Sequence, residues 1–339
     1  MSTKTVTLLA AAGRDFYTFN CRFRANDDYD VVAFTATQIP DIDGRKYPAE
    51  LAGSLYPEGI PIEDEGRVEE LIAETGADMC IMAYSDRSYQ QVMNLGSRVN
   101  AAGADFVMMG ERDTQIESSK PVISVGAVRT GCGKSQTSRA IIRILREAGK
   151  KVVAIRHPMP YGDLVKQKVQ RFADLADLEK HECTIEEMEE YEPHIASGGV
   201  IYAGVDYEAI LREAEKEADI ILWDGGNNDT PFYKSDLHIV VADPHRPGHE
   251  KEYFPGETNV RLADAVIINK VVEAAFEDIQ EVRDNVKEIN PEAVIIDGAS
   301  PLTITGDLET LEGLTVLVVE DGPTLTHGEM TYGAGVVAA

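Results

Sequence analysis

Gly131, Gly133, Lys134 and Ser135 close the run Arg129-Thr130-Gly131-Cys132-Gly133-Lys134-Ser135-Gln136, and those residue types at that spacing can hold phosphate. The two glycines let backbone N–H groups approach phosphate oxygens, and a helix opening at Lys134 aims the positive end of its dipole at the same place. Lys134 would reach the β- and γ-phosphates of a nucleotide, and Ser135 would hold Mg²⁺. The apolar run 122–128 before the turn and the helical pattern after it supply the strand and helix that such a loop requires.

Counted back from Gly133-Lys134-Ser135, the plain pattern G-x-x-x-x-G-K-[ST] calls for glycine where the chain has Val128. The loop resembles instead the K-G-G-x-G-K-[ST] form of the deviant P-loop ATPases, the group of the nitrogenase iron protein and the dethiobiotin synthetases. Arg129 stands where that group has its signature lysine, which makes it a candidate to act on phosphate. A second signature follows about ninety residues on, where an apolar run ends in Asp224 and turns through Gly225-Gly226-Asn227-Asn228-Asp229. A carboxylate at a strand's carboxyl end can serve the magnesium shell, and Asn227, Asn228 and Asp229 are candidates to line the site. Asn269-Lys270 resembles the start of the base-reading motif of GTPases. Val272 replaces its guanine-reading aspartate, so the pair could frame adenine or simply cap the strand end, with ATP expected as nucleotide and GTP as the alternative.

Cations are scarce in this chain, so their clusters stand out. Arg156-His157 and His245-Arg246-Pro247-Gly248-His249 each follow a buried-strand pattern, which puts them at the same sheet edge as the phosphate loop. Arginine binds phosphate bidentately and histidine can donate or move protons, so both clusters are expected to hold a small polyanion. In the first domain, Arg14 and Asp86-Arg87 read first as turn and solvated-loop residues, with a reach across the domain gap toward substrate as the alternative. His181 and Cys183 lack partners at metal-binding spacing.

A formal charge of −27 over 339 residues argues against nucleic acid or an anionic membrane as partner, since no basic run exists to neutralise phosphates. No apolar run approaches the roughly 20 residues of a membrane span. Cys21, Cys80, Cys132 and Cys183 lie far apart with no C-x-x-C pair, as expected of a cytoplasmic protein. The acidic excess further suggests a salt-accumulating, halophilic host, where screening relieves self-repulsion.

Strand-like and helix-like runs alternate along the whole chain, which predicts an α/β protein with mainly parallel sheets. Residues 1–114 read as a Rossmann-like domain, although the turn at Gly13 lacks two glycines of the dinucleotide fingerprint. Residues 115–339 read as a P-loop nucleotide-binding domain, with strands expected at 151–155, 219–223, 237–242, 265–268, 293–296 and 314–319.

The combination of the 129–135 loop, the stretch 156–164, Trp223-Asp224-Gly225-Gly226-Asn227-Asn228-Asp229, the stretch 242–249 and the stretch 255–259 resembles the archaeal cyclic 2,3-diphosphoglycerate synthetase family, whose members are often labelled GTPases. The resemblance implies an N-terminal Rossmann-like domain, a central P-loop domain and a further C-terminal segment that this chain is expected to lack. It also implies ATP- and Mg²⁺-dependent joining of the two phosphates of 2,3-bisphosphoglycerate into an internal anhydride. In that reaction Lys134 and Arg129 would act on the transferring phosphoryl group, Ser135 and Asp224 on the metal. Arg156, His157, Asn227, Asn228, His245, Arg246 and His249 would bind the substrate. Analogy with deviant P-loop proteins suggests a homodimer. The alternatives are a regulatory or chaperone-type NTPase, and a kinase or ligase on another small anionic metabolite.

Overall fold

The computed structural model of the chain describes residues 3–10, 13–37, 44–157, 162–226, 228–302, 313–320 and 330–339. The N-terminal sheet is built from β1 (Lys4–Leu9), β2 (Tyr29–Ala36), β3 (Lys46–Tyr47), β4 (Ile60–Asp64), β5 (Met79–Met82) and β7 (Asp105–Met108), with the short β6 (Arg87–Ser88) outside it. Its order is β3-β4-β2-β1-β5-β7, parallel except at the β3–β4 edge.

The second sheet holds β8 (Val122–Ala127), β9 (Val152–Arg156), β10 (Gln170–Phe172), β11 (Val200–Ala203), β12 (Ile220–Asp224), β13 (Leu237–Ala242), β15 (Ala265–Ile268) and β16 (Val294–Asp297), while β14 (Tyr253–Phe254) stands apart. The order β10-β11-β9-β12-β8-β13-β15-β16 places the phosphate-loop strand β8 in the middle, and only β10 runs antiparallel. Strands covered on both faces read as near-continuous Val/Ile runs, which is why β9, β12 and β13 were legible without alternation. Their carboxyl ends, with those of β8 and β15, share one edge. The expected nucleotide fold is present, with its site edge where a doubly wound sheet puts ligands.

The run 314–319, expected as a strand, forms none: Leu317 and Val319 stand 90% and 82% exposed. The sheet ends at β16, and an apolar run becomes a strand only where a neighbour takes up its backbone groups.

The two sheets meet along their site edges. β14 pairs antiparallel with β6, aligning Tyr253 with Ser88 and Phe254 with Arg87. Tyr17 stacks on Phe232 at 3.8 Å between centroids and donates its hydroxyl to the Phe232 carbonyl at 2.9 Å. Leu164 and Val205 complete the core under the N-terminal sheet. Cores that cross the seam fix the relation of the two domains.

Candidate functional site

The helix Lys134–Glu147 buries Lys134, Ser138 and Ile142, spaced one turn apart on its inner face. That spacing brings two donors onto one carboxylate of β12: Lys134 Nζ lies 2.6 Å and Ser138 Oγ 2.8 Å from Asp224 Oδ1. From the other side Arg156 Nη1 donates to Asp224 Oδ2 at 3.2 Å, with His194 Nε2 at 3.4 Å. Arg156 also pairs with Glu190 at 2.7 Å. Asp224 has no exposed surface. Burial works to raise its pKa, but Lys134, Arg156 and His194 outweigh burial and hold the carboxyl well below the usual range.

Above this cluster the loop is held through its backbone. Gly131 (φ 83°) and Gly133 (φ 103°) are left-handed, and a Cβ on Gly133 would lie 2.2 Å from Asn269 Nδ2. Asn269 donates to the Cys132 carbonyl at 2.9 Å, Lys270 to that of Gly131 at 2.8 Å, and Arg246 to that of Thr130 at 2.8 Å. Asp243 then takes Lys270 at 2.8 Å and Arg246 at 3.1 Å. Asn269 and Lys270, expected to frame a base, here brace the loop. The first turn of the Lys134–Glu147 helix carries no acidic residue and its N-cap glycine no side-chain cap. Those N–H groups, with Lys134, the half-buried Ser135 and Asp224, fit a nucleotide's phosphates and Mg²⁺.

Arg129 is held by partners from both domains. Its Nε donates to Asp86 Oδ1 of the N-terminal domain at 2.6 Å, its Nη1 to His249 Nδ1 at 3.0 Å, and its guanidinium lies 3.6 Å over the Tyr253 ring. It is 2% exposed and bridges the domains. His249 is thereby tied to Arg129, whereas the neighbouring His245 is only partly buried, its backbone N–H bonded to Asp243. Arg156 and Arg246, expected to hold a polyanion, each carry a carboxylate partner, as does Arg129, expected to act on the transferring phosphoryl group.

His157 leaves the end of β9 for the seam. Its Nε2 lies 3.8 Å from Asp229 Oδ2, and a Cβ at Gly13 of the N-terminal domain would strike the ring at 2.1 Å. Arg14 donates to Thr230 Oγ1 and stands 3.6 Å from Glu111. Asn228 donates to the Val128 carbonyl at 3.1 Å, which ties this loop to the phosphate loop's strand. Asn227 and residues 158–161 lie outside the described residues, as does 38–43 of the long loop.

Sequence reasoning passed over Ser138, Glu190 and His194. The last two sit on the helix Ile185–Ala196, which opens with a capping box at Thr184 and Glu187 and buries Glu187, Tyr191, His194 and Ile195. Polar residues at i, i+4 and i+7 beneath such a start were the available signal. Among the described residues no cluster of three or more His, Cys, Asp or Glu is arranged to hold a metal by itself, and no helix is long and apolar enough to cross a membrane.

Comparison with known proteins agrees with this architecture. A family model described as "Cyclic 2,3-diphosphoglycerate synthetase, P-loop domain" matches residues 195–299. Arginine synthetase ArcE of Thermococcus kodakarensis is 64% identical over 99% of this chain and 75% of its own length. The cyclic 2,3-diphosphoglycerate synthetases of Methanothermobacter thermautotrophicus and T. kodakarensis are 26% and 24% identical over 76% and 68% of the chain. The chain spans 60% and 56% of those two synthetases. With a 64% identical relative matched over nearly the whole chain and the family model matching residues 195–299, the chain belongs to the P-loop family of the cyclic 2,3-diphosphoglycerate synthetases, which also contains arginine synthetase ArcE.

Proposed function

We propose that the chain is an ATP-dependent synthetase that forms a guanidino product, arginine or a near relative, from a ureido precursor and an amine. In this reaction the ureido oxygen attacks the γ-phosphorus and the bond to ADP breaks. The amine nitrogen then adds to the activated carbon, loses a proton and expels inorganic phosphate. Lys134 leaves Asp224 for the β- and γ-phosphates, and the backbone N–H groups of residues 131–135 hold their oxygens. Mg²⁺ on Ser135 and Asp224 would neutralise charge shared by the β- and γ-phosphates.

The observation that carries the substrate class is charge compensation. Arg129 is paired with Asp86, Arg156 with Asp224 and Glu190, and Arg246 with Asp243. A substrate bearing two phosphates asks for uncommitted cations, whereas one with neutral or cationic nitrogens does not. The extent of similarity to arginine synthetase supports the same choice.

A second reading, formation of cyclic 2,3-diphosphoglycerate, is favoured by the family model and by the Arg/His pairs at the sheet edge. One assay separates the two. The chain is incubated with ATP, Mg²⁺, ammonium and a ureido amino acid, or with 2,3-bisphosphoglycerate, and products are read by amino-acid analysis and phosphorus NMR. Arginine formed with equal phosphate is the expected result, and a cyclic anhydride resonance without arginine gives the second reading.

A further inference from the structure

We propose that the seam between the two domains binds the nitrogen-rich end of the substrate, and that Asp229 is the group that receives its N–H donors. The inference rests on the guanidino reading above and gives it a place.

Asp229 is 5% exposed, and its Oδ1 has no hydrogen-bond partner among the described residues. Asn228 Oδ1, fully buried, and the hydroxyl of Tyr207, 1% exposed, are in the same condition. The three belong together: Asn228 and Asp229 are adjacent, His157 Nε2 lies 3.8 Å from Asp229 Oδ2, and the Tyr207 ring stands 6.2 Å from that of His157. Buried acceptors are rarely left unmade, so two of them beside a hydroxyl mark a place for a ligand that donates.

The loop that carries Asn228 and Asp229 is fixed. Asn259 Nδ2 donates to the carbonyls of Asn228 at 2.6 Å and Asp229 at 3.4 Å, and Asn228 Nδ2 to that of Val128 at 3.1 Å. Arg14 reaches Thr230 from the N-terminal domain. The loop backbone and the Asn228 amide are therefore held in place beside the strand end that leads into the phosphate loop. His157 stands beside Asp229, its ring confined between Gly13 and Gly226, where added Cβ atoms would approach to 2.1 and 3.1 Å. A carboxylate here attracts an ammonium, ureido or guanidinium group and repels a phosphate.

Full-length chain with ADP and Mg²⁺ is titrated with L-arginine by calorimetry, for the wild type, Asp229→Asn and Asp229→Glu, with ADP affinity and circular dichroism reporting the folded state. The expected result is at least tenfold weaker L-arginine binding in Asp229→Asn, an intermediate loss in Asp229→Glu, and ADP affinity unaltered. Equal L-arginine affinity in all three, or none in the wild type, overturns the assignment. If binding depends on Asp229 but no arginine is formed in the assay above, the seam stands and the reaction falls. If arginine is formed and Asp229→Asn leaves the KM for the ureido substrate unchanged, the reaction stands and the seam falls.

Discussion

Lys134 Nζ sits 2.6 Å from Asp224 Oδ1, so the lysine of the phosphate loop is closed on the carboxylate that would serve the metal. Phosphates of a bound nucleotide would compete with Asp224 for this ammonium, and that exchange would couple nucleotide binding to the cluster beneath. Lys134→Ala is expected to lower ATP-dependent turnover by roughly 10²–10³-fold, as loss of a preorganised cation at a transferring group does. Steady-state phosphate release measures it, and a loss under threefold would remove Lys134 from the reaction.

Asp224 also predicts an acid limb of stability. Its folded pKa is depressed, so its contribution is complete above the unfolded value near 4 and declines as the pH falls below it. Asp224→Asn removes that limb and leaves Lys134 and Arg156 short of countercharge, at a cost on the order of 3–5 kcal/mol at neutral pH. Denaturant midpoints of both proteins from pH 7 to 3 should converge; parallel curves would show that Asp224 does not titrate with folding.

The strands and the phosphate loop were readable because periodicity and glycine placement are local properties. The run ending in Asp224 is an example, and the structure puts that residue at the edge expected of it. Pairing is not local. Arg129 lies 43 residues from Asp86, and nothing in either neighbourhood says they meet. The arginines at the sheet edge looked like an anion site because their carboxylates come from other elements, Glu190 from a helix and Asp86 from the other domain. The run 314–319 misled for the same reason, since apolar composition does not supply a neighbouring strand.

His238 supplies a second pH test. It is 4% exposed on β13, its Nδ1 2.7 Å from Ser124 Oγ, and burial pushes its pKa down to about 4. The unfolded imidazole takes its proton near pH 6.5, so stability present above that value is lost as pH falls toward 4, by at most about 3 kcal/mol. His238→Asn should flatten the unfolding midpoint across this window. An unchanged slope would mean that the imidazole charges without cost in the fold.

The net charge of −27 makes a prediction about salt. Screening lengths near 3 Å at about 1 M salt remove most long-range repulsion among exposed carboxylates. The melting temperature is expected to climb between low salt and molar KCl, by calorimetry or fluorescence. A flat response would show that repulsion among the unpaired carboxylates costs the fold little, and it would remove the halophilic reading.

Arg129 and Asp86 predict how the domains depend on each other. The pair is nearly closed to solvent, with side chains 2% and 7% exposed, and Tyr253 covers the guanidinium from β14, which itself pairs with β6 beside Asp86. Asp86→Asn keeps the shape but leaves a buried guanidinium without its countercharge, at a cost on the order of 3–5 kcal/mol. Arg129→Lys is expected to be nearly as damaging, because lysine has neither the planar fork nor the stacking face. Urea unfolding followed by intrinsic fluorescence, with Trp223 in the second domain and tyrosines in both, should show one transition in the wild type. In Asp86→Asn the transition should shift down and broaden as the domains uncouple. A single transition with its midpoint unmoved would mean that β6–β14 pairing and the Tyr17–Phe232 contact hold the seam without this ion pair.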